Sequence, residues 1–211
     1  MLYIYVEYSI TYYSVGMKQL FLLFCVFGLL QNVKSQSNDF YVRLSDAALS
    51  IIDPNVRYDS GYTQISYPNG DVPANRGVCT DVLIRAYRLL DIDLQKEVHE
   101  DMKANFNAYP SKKVWGLKST DRNIDHRRVF NLQTFFTRKG KVLPISLEAS
   151  DYQPGDIVTW DLGGGIAHIG IVVNRKTVEG TPLVVHNYGG GQVCEDILFG
   201  YIITGHYRYG K

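Results

Sequence analysis

Four short runs of β-branched and aromatic residues crowd into the last third of this chain: Ile157-Val158-Thr159-Trp160, His168 to Val173, Leu183 to His186 and Tyr201 to Tyr207. Gly, Asn or Pro separates each run from the next, the pattern of strands joined by turns. Ahead of them, apolar residues recur at helical spacing. Helices first and strands later predict an α+β domain, because each layer needs the other to cover its apolar face. No internal repeat, low-complexity tract or linker divides the chain.

In the helical half, Ser45 is a candidate cap for a short helix carrying Ala48, Leu49 and Ile52 on one face, stopped by Pro54 because the residue before a proline disfavours helix. Tyr58 to Tyr67 reads as ordered loop, with a turn at Pro68-Asn69-Gly70-Asp71, and Arg76-Gly77 breaks the chain just before the next helix. From Cys79, apolar or small residues recur at Val82, Leu83, Ala86, Leu89 and Leu90, with Cys79 on the same stripe at its first turn. A further helix is predicted through Leu94, Val98 and Met102. Another runs through Val129, Leu132 and Phe136, ended by Gly140.

Met17, Lys18 and Gln19 precede an apolar run from Leu20 to Leu30, and Val33-Lys34-Ser35 offers small or branched residues where a signal peptidase reads. The run is about eleven residues, well short of the roughly twenty that span a membrane. The expectation is translation from Met17, export, cleavage after Ser35 and one domain over residues 36–211 with no membrane anchor left. Bulky Val26 after Cys25 disfavours lipid attachment there. Export leads to a periplasmic or extracellular destination. The whole chain carries a net charge of +1, and its Lys and Arg are scattered among acids. Nucleic acid binding, which needs a basic face against the phosphates, is therefore not expected.

The exported domain keeps Cys79 and Cys194. At a helix N-terminus, backbone N–H groups and the helix dipole favour a thiolate at Cys79 over a thiol placed mid-helix. A thiol nucleophile needs a base. His168 opens a strand after the glycines Gly163 to Gly165, and His186 closes the following one; if the two strands pair antiparallel, the second imidazole can orient the first. Cysteine, base and orienting group from three distant positions form a set for acyl transfer.

Gly77-Val78-Cys79-Thr80-Asp81-Val82, Gln153-Pro154-Gly155-Asp156-Ile157-Val158 and Ala167-His168-Ile169-Gly170-Ile171-Val172, with a further His at 186, resemble the NlpC-type cell-wall cysteine peptidases of the papain-like superfamily. More closely, the chain is similar to domain of unknown function family 1287, through Tyr58-Asp59, Tyr67-Pro68, Gly70-Asp71-Val72-Pro73, Gly77 to Asp81, Asn123 to Arg128 and His186-Asn187, over about residues 44–209. The resemblance implies a papain-like fold with N-terminal helices packed on a C-terminal antiparallel sheet. It implies a thiol hydrolase of peptidoglycan stem peptides, with no metal or cofactor. Cys79 would be the nucleophile, His168 the base and His186 the third polar residue, with Tyr58 and Asn187 assisting and the Cys79 backbone N–H as oxyanion donor. The chain departs from the common NlpC-type pattern, in which Asp precedes the cysteine and Ser-Gly follow; here Val78 precedes it and Thr80-Asp81 follow.

Arg127 and Arg128, with Asp81, are candidate contacts for substrate carboxylates, since Arg forks match carboxylates; the competing reading of that cluster is a salt-bridged structural corner. Two other classes compete. A disulfide between Cys79 and Cys194 would make the chain a non-catalytic secreted wall-binding module. A metal hydrolase would draw on His168, His186, His206 or Cys194, which lack the tight His-x-x-x-His spacing of a ligand pair.

Overall fold

A computed structural model describes residues 39–210, and the export segment expected at residues 1–35 lies outside them. The stripe that begins at Cys79 becomes helix α2 (Cys79–Arg88), with Val82, Leu83, Ala86 and Tyr87 completely buried. Around it pack α1 (residues 39–50), α3 (Leu94–Ala104) and α5 (Val129–Lys139), while the polar stretch between α3 and α5 holds only the short α4 (Ser111–Trp115). The first helix begins earlier than its cap residue suggested. Ser45 lies within α1, fully buried, and its Oγ accepts the Asn174 backbone N–H at 3.0 Å. A polar contact to the sheet, rather than capping, accounts for a serine there.

Two-residue strands β1 (Arg57–Tyr58) and β2 (Arg76–Gly77) pair in parallel just ahead of α2. A six-stranded sheet follows, built from β3 (Lys141–Val142), β4 (Ile157–Asp161), β5 (Ala167–Lys176), β6 (Pro182–Asn187), β7 (Gln192–Glu195) and β8 (Ile202–Arg208). Every neighbouring pair is antiparallel, in the order β3-β8-β4-β5-β6-β7. The α+β architecture read from the sequence is the observed one; the edge strands β3 and β7 were not foreseen. From Phe40 onward the chain forms one compact unit.

Strand alternation divides the sheet between two cores. Ile157, Ile169, Ile171, Val173 and Val185 face the helices, and Val158, Trp160, Val172 and Val184 face a smaller cluster closed by Tyr152 and Leu198. The Pro154-Gly155-Asp156 turn has a structural task. Gly155 sits at φ +83°, and a Cβ there would come within 2.4 Å of the Tyr41 carbonyl oxygen, so only glycine fits. Asp156, fully buried, accepts from His206 Nε2 at 2.7 Å, from both Arg208 Nε and Nη2, and from the Gln153 N–H at 2.9 Å. These bonds tie the start of β4 to the end of β8. Among the described residues no helix is long and apolar enough to cross a membrane.

Candidate active site

The parallel β1–β2 pairing puts Tyr58 beside Gly77, two residues before Cys79. Gly77 is small for a reason: a Cβ would lie 3.1 Å from Asp81 Oδ2 and 3.2 Å from its Cβ. That carboxylate turns back to accept the Val78 N–H at 2.6 Å, capping α2 from inside its first turn. Its two oxygens also take a bidentate bond from Arg127, Nε and Nη2 each at 2.9 Å. Arg127 in turn reaches the Asp59 carbonyl, and its own carbonyl accepts from Thr80 Oγ1 at 3.1 Å. The start of α2 is therefore clamped on three sides.

Clamped in this way, Cys79 is 4% exposed. Its sulfur faces the backbone N–H of Ile169, the residue after His168, together with the N–H groups of Thr80 and Cys79 itself. The Tyr58 hydroxyl lies close to it. Those N–H groups favour the thiolate, as the helix-start position suggested. Burial outweighs them and, with the nearby Asp81 carboxylate, pushes the thiol up to about 12. Burial, and then the Cys79 sulfur, likewise raises Tyr58 to about 12.

β5 and β6 pair antiparallel, and the start of one meets the end of the other. His168 Nε2 lies 3.0 Å from His186 Nδ1, with the two rings nearly perpendicular. Gly170 makes this meeting possible: a Cβ there would stand 2.5 Å from Val184 Cγ1 and 3.2 Å from the His186 Cβ. Trp160, opposite His168 on β4, backs the His168 ring and is itself pinned by Nε1–H donating to the Leu198 carbonyl at 3.0 Å. Half-exposed Tyr188 meets the same ring edge-on at 5.5 Å. Burial and the neighbouring His186 drive His168 down to about 3, and burial lowers His186 as well. At neutral pH these shifts favour a neutral thiol and two neutral imidazoles.

His186 has a second partner, absent from the sequence-based set. Its Nε2 lies 3.2 Å from Glu195 Oε2 on β7, diagonally across the ladder that sets Val193 opposite His186. The signal for β7 was the glycine run Gly189 to Gly191, which sends the chain back along β6; Gly189 and Gly191 both take positive φ. Asn187 ends β6, next to His186, and is fully buried. Its Oδ1 accepts the Gly189 N–H at 3.1 Å, while its Nδ2 is buried with no protein partner.

The expected carboxylate contacts divide. Asp81 and Arg127 are 1% and 7% exposed and spend their charges on each other, so they lie beneath the site and not on a surface a substrate carboxylate could reach. Arg128 is more open. It donates to Asp125 at 3.1 Å, stacks on Trp115, and with Lys118 and Arg122 lines a polar cleft of about 430 Å³. Cys79 and Cys194 are both free; the sulfur of one faces β5 and the other lies on β7, with β6 between them, so the bridged binding-module reading does not hold in this structure. His206 is committed to Asp156 and to the Pro144 carbonyl. Among the described residues no three His, Cys, Asp or Glu side chains come together as a metal ligand set.

Cys79, buried at a helix start, thus faces β5, whose His168 pairs with His186 of β6. The family model described as "Domain of unknown function (DUF1287)" matches residues 45–209. The chain belongs to that family. A curated relative is "Uncharacterized protein YijF" of Escherichia coli (strain K12), 54% identical over 166 residues that make up 79% of this chain and 80% of the relative. Among solved structures, NlpC1 from Trichomonas vaginalis is similar over 80% of this chain at 17% identity and a TM-score of 0.43; this chain spans 44% of it. An N-acetylmuramoyl-L-alanine amidase from Bacteroides uniformis is similar over 83% of this chain and 100% of its own, at 12% identity and a TM-score of 0.46.

Proposed function

We propose that this protein is an exported cysteine hydrolase that cuts amide bonds in peptidoglycan stem peptides. The observation that carries the reading is the place of Cys79 at the start of α2 against the main chain of β5 at Ile169, next to His168, whose ring lies 3.0 Å from that of His186. Cys79 Sγ attacks the peptide carbonyl while its proton passes to His168. The imidazolium then protonates the leaving amine as the C–N bond breaks, leaving a thioester that water, deprotonated by His168, hydrolyses to acid and free thiol. Because thiol and imidazole are neutral before substrate binds, the proton moves as the carbon–sulfur bond forms. The Cys79 N–H and the unpartnered Nδ2 of Asn187 are the groups we assign to the developing oxyanion, assisted by Tyr58. Asn187 is the stronger side-chain candidate, since a buried donor without an acceptor costs free energy until something accepts from it.

The substrate class rests on the likeness of the Cys79, Pro-Gly-Asp and His-Ile-Gly-Ile-Val segments to cell-wall peptidases. A basic cleft suits it: Lys118, Arg122 and Arg128 outnumber Asp121 among the cleft's charged side chains, and stem peptides carry carboxylates for such cations to hold. The experiment is to incubate the protein and its Cys79→Ala variant with purified peptidoglycan and identify released fragments by mass spectrometry. Fragments from the wild type alone establish a thiol-dependent hydrolase and the bond it cuts. No fragments from either would reject the reading.

A further inference from the structure

Proton bookkeeping along the histidine pair leads to the edge strand. A carboxylate oxygen has no proton to donate, so the bond between His186 Nε2 and Glu195 Oε2, 3.2 Å apart, requires the hydrogen on Nε2. A neutral imidazole carries one N–H, which leaves His186 Nδ1 with a lone pair. That lone pair lies 3.0 Å from His168 Nε2 and can only accept. The hydrogen of His168 must then sit on Nε2, and its Nδ1 is bare. Nδ1 is the ring nitrogen nearer its own main chain, and the next backbone N–H, that of Ile169, already faces the Cys79 sulfur.

We propose that Glu195 is a positioning residue: its carboxylate fixes the direction of both imidazole hydrogens and so presents His168 Nδ1 as the bare nitrogen that takes the Cys79 proton. The logic is that of a carboxylate holding a catalytic imidazole in its working tautomer, extended through one more ring. Unlike a buried carboxylate, the Glu195 side chain is 54% exposed on the edge strand, so it can be exchanged without opening the core, and its influence is screened by salt.

The consequence for catalysis rests on the hydrolase reading; the tautomers do not. The test uses the protein labelled with 15N in its histidines, with long-range proton–nitrogen correlations distinguishing protonated from bare ring nitrogens, assigned by single His→Gln variants. In the wild type both His168 and His186 should carry hydrogen on Nε2. Glu195→Lys replaces an acceptor by a pure donor and should reverse both rings, moving the hydrogen to Nδ1. With Nδ1 protonated, His168 loses its role as base, so kcat in peptidoglycan hydrolysis should fall by about 10² or more, with KM and melting temperature little changed. Glu195→Gln keeps an acceptor oxygen and should retain the wild-type tautomers and activity within a few-fold. Hydrogen on Nδ1 of either ring in the wild type, or rings unmoved in Glu195→Lys, would overturn the proposal. Tautomers that reverse as stated in a protein that releases no wall fragments would instead reject the hydrolase reading and leave Glu195 in control of the rings.

Discussion

Removing the Asp81 carboxylate tests whether the start of α2 is held by a buried ion pair or whether the same residues are available to a substrate. In Asp81→Ala, Arg127, whose side chain is 3% exposed, loses its carboxylate partner among the described residues while still buried. Leaving one member of such a pair uncompensated costs about 3–5 kcal/mol. The Val78 N–H loses its 2.6 Å acceptor as well, a helix-start loss of about 1 kcal/mol. Together these approach half of a typical domain's stability of about 5–15 kcal/mol. Urea unfolding followed by fluorescence or circular dichroism gives the midpoint and slope; we expect the midpoint to fall with the slope unchanged. The double variant Asp81→Ala/Arg127→Ala should lose much less than the two single losses added, since each single variant strands the other's charge. A loss under about 1 kcal/mol with peptidoglycan binding abolished would refute the clamp and restore the carboxylate-contact reading of this pair.

Gly170→Ala should separate β5 from β6, because its new methyl would meet Val184 Cγ1 at 2.5 Å. Overpacking of this kind costs about 1–3 kcal/mol, and both the melting temperature and hydrolysis should fall, whereas an Ala at solvent-exposed Gly190 should alter neither. Acid should destabilise the fold: burial lowers His168 and His126 to about 3 from an ordinary 6.5, so between those values the unfolded chain binds more protons and stability drops as pH falls through 6.5. Asp125, raised by burial to about 6, takes up a proton in the native state and offsets part of this, so the net loss on moving from pH 6.5 to 4.5 should steepen in Asp125→Asn; flat urea midpoints over that range would contradict the buried neutral histidines. Thiol titration of the denatured, unreduced domain of residues 36–211 should find both Cys79 and Cys194 reactive, and a count of zero would return the disulfide-bonded module to consideration.

Residue order alone was enough for the α+β division, for α3 and α5 and for four strands of the sheet, and it offered Cys79, His168 and His186 as candidates, because these follow from local periodicity, turn residues and side-chain chemistry. The contacts that define the site are not local. Asp81 and Arg127 lie 46 positions apart, and nothing in their spacing says that they neutralise each other under the helix instead of facing solvent. The balance at Cys79 was likewise decided by packing: the N-terminal amides are visible in the sequence, but desolvation, which overrides them, exists only once Tyr58, β5 and the Asp81–Arg127 pair enclose the sulfur. Glu195 joined His186 only through the pairing of β7 with β6, since four residues of mixed character, Gln192 to Glu195, beyond a glycine turn carry too little pattern to announce a strand. Side-chain chemistry and period are written along the chain; burial, charge pairing and the direction of a shared proton depend on which distant segments exclude water together.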